Sequence, residues 1–318
     1  MRTFLALSLT LISFTFSGKA QKSSTATIRH FSGKIDQYPI EMTISSYAEN
    51  DSVAGSYYYV KSGSNRYIDL KGTLKNNILD LTESTFQVKN NKLITTISGQ
   101  FNMQMSADWA LKGNWTNVKG DKKLNVSLNC LENNHSYNPL KNKYKFQQYT
   151  INKSTVSYPN WKIDKIKGLD IYNEKGVLIQ SLTGFDEFIY ERKAEVELED
   201  LNFDGLPDLK IQTYLPEQTK GDIAYLYFLY HPVQKKYIRN PQLEELGVLS
   251  FDAKKKLVLK DYADGSGNES THTFKWLNNK IYLIKTESVF ENDDQTHYEE
   301  YRIIGNKSVK VKSYKSKG

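Results

Sequence analysis

Cysteine is almost missing: the 318 residues hold one, Cys130, so no internal disulfide can staple the fold. Apolar residues spaced for a helix face are nearly absent, and after Phe16 no apolar run is long enough to span a bilayer as a helix. Histidine is sparse. His30, His135, His231, His272 and His297 are scattered without metal-ligand spacing, and no Gly-x-Ser-x-Gly, Walker or dinucleotide fingerprint occurs. The acidic pairs Glu244-Glu245 and Glu299-Glu300 are sequence neighbours, which point to opposite faces of a strand and so form no glycosidase dyad. No catalytic residue is assigned, and the chain reads as a binding protein rather than an enzyme.

What is present begins with a leader. Met1-Arg2, an apolar run from Phe4 to Phe16 broken only by Ser and Thr, and Gly18-Lys19-Ala20 describe a secretory signal peptide over residues 1–20. It contains no Cys for lipid anchoring, so the expected product is soluble and exported, periplasmic or extracellular. The net charge of +7 is spread along the chain without the basic and aromatic clustering of a nucleic-acid reader. Its densest stretch, Lys307 to Lys317, alternates apolar and basic residues at Ser308-Val309-Lys310-Val311-Lys312, as expected of a final strand whose lysines guard an edge. Cys130 falls on the apolar face of the run from Leu124, the position of a buried, inert thiol.

Period-two alternation dominates, which predicts an all-β fold. About eight strand-like runs lie between Ala26 and Cys130. Within them apolar-x-Gly-x-apolar recurs at Phe31-Gly33-Ile35, Val53-Gly55-Tyr57, Leu70-Gly72-Leu74, Ile97-Gly99-Phe101 and Leu111-Gly113-Trp115. Glycine repeated on one strand face marks close approaches in a curved sheet, so residues 21–130 are expected to form an eight-stranded meander or barrel. Tyr57, Phe101 and Trp115 either fill its interior or line a ligand cavity. Residues 131–157 are polar and read as a linker, with Lys145 to Ile151 already strand-like; residues 158–318 carry further short runs that predict a propeller-like or sandwich β domain, with a short helix near Pro241 to Leu246.

The most specific signal is Asp200-Leu201-Asn202-Phe203-Asp204-Gly205-Leu206-Pro207-Asp208. Side-chain oxygens of Asp200, Asn202, Asp204 and Asp208 stand at calcium-loop positions 1, 3, 5 and 9, the Leu206 carbonyl stands at position 7, and Gly205 permits the sharp turn at position 6. Hard oxygen donors suit Ca2+ rather than Zn2+. Position 12 is Ile211 instead of Glu, and the flanks alternate as strands, so the loop belongs to a β-hairpin where calcium is structural. An acidic turn without metal accounts for the same letters.

At these residues a family resemblance enters. The loop, followed by Tyr225-Leu-Tyr227-Phe-Leu-Tyr230, Tyr237 with Asn240-Pro241-x-Leu243-x-x-Leu246, and Phe274-x-Trp276, resembles the periplasmic, calcium-binding, propeller-like family whose characterised members are immunity proteins. Those members inhibit lysozyme-like, peptidoglycan-cleaving effectors delivered by type IV secretion. The resemblance spans about residues 160 to 300, with an extra N-terminal β module before it. It implies Asp200, Asn202, Asp204, Leu206 through its carbonyl, and Asp208 as calcium ligands, and a cell-wall hydrolase as protein partner.

A second loop bears on that partner. Asp264-Gly265-Ser266-Gly267-Asn268-Glu269 resembles the short protruding loops with which periplasmic lysozyme inhibitors enter a glycosidase cleft, although a flexible hairpin connection explains the same residues. The competing function is glycan or small-ligand binding by the N-terminal barrel through Trp109, Trp115 and the Tyr57 to Tyr59 cluster.

Overall fold

The computed structural model describes residues 24–64, 66–89, 92–132, 134, 136–153, 161–189, 194–215 and 222–317. The leader at 1–20 lies outside the described residues. The fold is all-β. Eight strands, β1 (Ser24–Ile35), β2 (Tyr38–Tyr47), β3 (Ser52–Tyr59), β4 (Ile68–Lys75), β5 (Ile78–Lys89), β6 (Lys92–Met105), β7 (Leu111–Asn117) and β8 (Lys123–Cys130), pair in order, and β8 returns to β1 to close a barrel.

Closure demands tight inter-strand approach, and the repeated glycines supply it. A Cβ on Gly72 would stand 1.8 Å from the Asp80 carbonyl of the next strand, and one on Gly99 would stand 2.5 Å from the Trp115 indole nitrogen. The interior is packed with side chains, including Phe31, Ile40, Met42, Leu79, Phe101 and Leu128. Tyr57 and Phe101 meet edge to face at 5.4 Å, and Trp115 packs against the same cluster, so these three residues serve the core.

The remaining strands do not stand apart from the barrel. They are β9 (Lys143–Lys153), β10 (Trp161–Tyr172), β11 (Leu178–Ile189), β12 (Glu195–Glu199), β13 (Asp208–Leu215), β14 (Asp222–His231) and β15 (Lys236–Arg239). The first four residues of β1 pair in parallel with β12, from Ser24 with Glu195 to Thr27 with Leu198, and β12 continues into the antiparallel ladder of β13, β14 and β15. The stretch read as a linker contains β9, which pairs along the length of β10. A second core, with Ile166, Leu169, Val196, Leu198, Leu209 and Ile211, lies under this extension.

The predicted short helix is α1 (Pro241–Leu246), whose N-cap Asn240 accepts the Leu243 N–H and whose first turn holds Pro241. A separate six-stranded meander follows: β16 (Ser250–Asp252), β17 (Leu257–Ala263), β18 (Glu269–Leu277), β19 (Lys280–Val289), β20 (Gln295–Ile304) and β21 (Lys307–Lys317). Its inner end buries Phe251, Val258 and Phe274 against Leu201, Phe203 and Tyr227, forming a third core. Strand β21 takes the outer edge. Its lysines pair with acids of β20 or of the turn before it, as in Lys310 with Glu299 and Lys315 with Asp293.

One prediction tests barrel closure. Gly72→Ala should cost about 1–3 kcal/mol, the range for forcing extra volume into a packed interior, seen as a lower urea midpoint. An unchanged midpoint would mean that β4 and β5 can separate without loss.

Candidate functional site

The loop between β12 and β13 closes on the pair Glu199 and Asp208. Two left-handed residues turn it, Phe203 at φ 63° and Gly205 at φ 87°, so a non-glycine residue occupies a conformation that L side chains seldom adopt. Short acidic side chains hold the turn from inside. Asp200 accepts the N–H groups of Asp204 at 3.1 Å and Gly205 at 2.8 Å, Asn202 accepts that of Asp204 at 3.0 Å, and Asp204 accepts that of Leu206 at 2.9 Å. Asp208 accepts from Leu201 at 2.9 Å and from Tyr230 of β14 at 2.7 Å.

The five residues marked in the sequence therefore share one hairpin turn. Among the described residues, however, no group of three or more His, Cys, Asp or Glu is gathered as a metal-holding cluster; the loop carboxylates are spread over backbone donors. Their environment is costly for negative charge. Burial pushes Asp200 up to about 7, with the charges of Asp204 and Glu132 adding to the shift against the stabilising Gly205 N–H. Asp208, fully buried, is pushed well up by desolvation and by Asp200 and Asp204. Asp204 alone of the three is exposed.

Beside the loop runs a buried ionic chain that the sequence did not disclose. Strand β1 leaves β12 after Thr27 and meets β8 at Phe31, staying paired with β2 throughout, and in this gap the His30 N–H takes a side-chain acceptor in place of a strand neighbour. Glu132 fills that gap: its carboxylate accepts the His30 N–H at 3.0 Å and lies 2.6 Å from the His30 Nδ1. The other ring nitrogen is 3.4 Å from Glu199, which also binds Lys210 at 2.6 Å, while Glu197 binds Lys210 at 2.9 Å. Cys130 donates to Glu132 at 3.3 Å and is pushed far up by burial first and by the Glu132 charge second, which makes it an inert thiol. The alternation of Glu195, Glu197 and Glu199 opposite Lys210 was the available signal; His30 and Glu132, in distant segments, gave none.

The hairpin tip between β17 and β18 is ordered by its own aspartate. Asp264 accepts from the Ser266 N–H at 2.8 Å, the Asn268 N–H at 3.2 Å and the Asn268 side-chain amide at 2.6 Å. These donors, led by the Asn268 side chain, hold its carboxyl well below the usual range. Gly265 and Gly267 take φ of 79° and 104°, and Asn268 accepts the Glu291 N–H at 3.2 Å, tying the tip to the next turn. A groove of about 450 Å3 lies alongside, lined by Asp261, Tyr262, Glu269, Glu287 and Val289 among others.

The aromatic residues grouped in the sequence are dispersed. Tyr57 is interior and donates to Glu83 at 2.6 Å, Tyr58 donates to Glu41 on the opposite face, and the Arg29 guanidinium covers the Trp109 ring at 4.4 Å. Trp115 Nε1 and Ser98 Oγ are buried without a hydrogen-bond partner.

No protein-family model and no curated protein matches the chain. Among solved structures it is similar to a Xanthomonas type IV secretion system related protein, at 14% identity and a TM-score of 0.40 over 66% of this chain and 96% of that one.

The ionic chain generates a pH prediction. Burial works against the His30 charge, but the Glu132 hydrogen bond and the Glu199 and Glu132 charges win, so its pKa is raised from 6.5. A raised histidine stabilises the fold fully below its unfolded pKa of about 6.5, and that contribution fades as pH rises through the higher folded value. The stability gap between wild type and His30→Gln, measured by urea unfolding in chelator, should be wider at pH 6 than at pH 9. A gap that grows with pH would show His30 to be neutral in the fold.

Proposed function

We propose that this is an exported, non-catalytic binding protein that carries a structural calcium ion in the Asp200–Asp208 loop and uses the Asp264–Glu269 tip to engage a protein partner, a lysozyme-like cell-wall hydrolase. The observation that carries the partner reading is the preorganised tip. Its backbone is fixed by Asp264 before any partner arrives, so little ordering entropy is lost on binding. Its two glycines let the main chain pass close to a cleft wall, where Ser266, Asn268 and Glu269 offer hydrogen bonds. Asp261 and Glu269 beside it favour a basic partner and a salt-sensitive on-rate.

The donor set fits calcium: three carboxylates, the Asn202 amide oxygen and the Leu206 carbonyl are all hard oxygens, and Asp200 and Asp208 are buried where a cation would relieve their repulsion. Bound calcium would supply charge neutralisation and loop rigidity. Its binding must draw Asp200 and Asp204 away from some of the N–H groups they now hold. The unfolded chain has no such site, so calcium at a hundred times its Kd should add about 2.7 kcal/mol, or roughly 5–10 °C in Tm. Asp204→Ala should remove most of that rise in a thermal melt. Equal melting in excess calcium and in chelator defeats the metal reading.

For the partner, a panel of lysozyme-like enzymes digesting peptidoglycan is the direct assay. At least one should be slowed by excess protein, and Ser266→Arg should abolish the effect at unchanged Tm. A panel that is wholly unaffected counts against the inhibitor reading.

A further inference from the structure

The Asp200–Asp208 loop is more than a connection between β12 and β13, because the six-stranded meander is seated on it. Trp276 of β18 donates its indole N–H to the Leu201 carbonyl at 2.9 Å, and Lys256, in the turn between β16 and β17, reaches the Phe203 carbonyl at 3.3 Å. The loop's apolar side chains point the same way. Leu201 and Phe203 are buried in the third core with Phe251, Val258 and Phe274, so consecutive loop residues alternate between oxygens turned to the candidate metal position and groups turned to the meander. The loop is also held by the segment that follows β8, through the Asn134 N–H on the Gly205 carbonyl at 3.3 Å.

We infer that a cation in this loop controls how firmly the meander docks, and through β18 the placement of the Asp264–Glu269 tip; this rests on the calcium reading given above. Drawing Asp200, Asn202 and Asp204 onto one ion fixes the peptides at Leu201 and Phe203, since each of those residues lies between two ligands. Those are the two peptides that Trp276 and Lys256 grip. Without the ion the loop keeps only its own side-chain to backbone hydrogen bonds, and the seat of the meander loosens before the barrel does. Strand β18 begins at Glu269, in the tip, and carries Trp276 near its other end, so one strand spans from tip to seat. Besides that seat and the third core, the described residues tie the meander to the body through the ion pair of Lys254 with Glu41 and the Lys210 ammonium over the Phe251 ring at 5.7 Å.

The test uses the full mature chain and calcium itself. Calorimetric titration first establishes whether calcium binds. Amide exchange is then followed by mass spectrometry in calcium and in chelator. Chelation should speed exchange at least tenfold across residues 250–289 while strands β2 to β5 change less than twofold, and Trp276 emission should shift in wild type but not in Trp276→Phe. Lys256→Met should keep calcium binding yet blunt the response of the meander. Calcium that binds while the meander's exchange stays constant, or rises only in step with the barrel, overturns the coupling and leaves the structural-metal reading intact. No binding heat together with no thermal shift overturns both.

Discussion

The seam where β1 passes from β12 to β8 governs the rest of the molecule. A strand cannot hydrogen-bond two neighbours on one side at the same residue, so a few peptides must be left between them, and in an apolar interior unpaired N–H groups are expensive. Glu132 answers that need with a carboxylate, and the carboxylate in turn requires a cation. His30 supplies one, Glu199 shares it, and Lys210 balances Glu199 and Glu197. Each charge is explained by the one before it. Such a chain is a poor source of net stability, yet removing one member costs about 3–5 kcal/mol because an unpaired charge stays buried. It fixes register: sliding β12 by one residue would turn Glu197 and Glu199 away from Lys210.

From this seam the architecture follows in two directions. The barrel grows by simple meander from β1, kept tight by glycines, while the extension grows from β12 through the metal-candidate hairpin to β14 and β15. The meander β16–β21 comes last in the chain and, among the described residues, meets the body at its inner end. Farther out it is a single layer, held by rungs such as the Tyr298 and Tyr314 pair stacked at 5.0 Å, with Lys312 over the Tyr314 ring at 4.2 Å.

The barrel was legible in the chain because its rule is local. Alternation and the glycine unit are read within five residues, and Tyr57, Phe101 and Trp115 behave as their spacing says. The helix at Pro241 was equally plain, since proline and an asparagine cap mark its start. That Asp200 to Asp208 share one hairpin turn could be read for the same reason, since the flanks alternate as strands. What escaped was every relation carried by distant segments: the parallel pairing of Ser24 with Glu195, the meeting of His30 with Glu132 and Glu199, and the seating of Trp276 on Leu201. Polar composition made 131–157 read as a linker with Lys145 to Ile151 strand-like; β9 there is a paired strand whose polarity belongs to a half-exposed face, and its partner β10 could not be read. Periodicity reports which side of a strand is wet, and carries no information on which strand lies beside it.

The parallel pairing of β1 has a kinetic consequence. From β1 to β8 successive barrel strands are joined by turns, but β1 must wait for β8 to bring Cys130 beside Phe31, and its front must wait longer still, for Glu195 to Leu198, after the barrel strands have been made. Closing so long a loop before any contact rewards it is the slow step in β-rich chains. Until β12 arrives, the first four residues of β1 present an open edge on the side away from β2. The first strand in the chain thus completes its own registration only when β12 is present, and a nascent molecule stays incomplete at its beginning until its middle has been made.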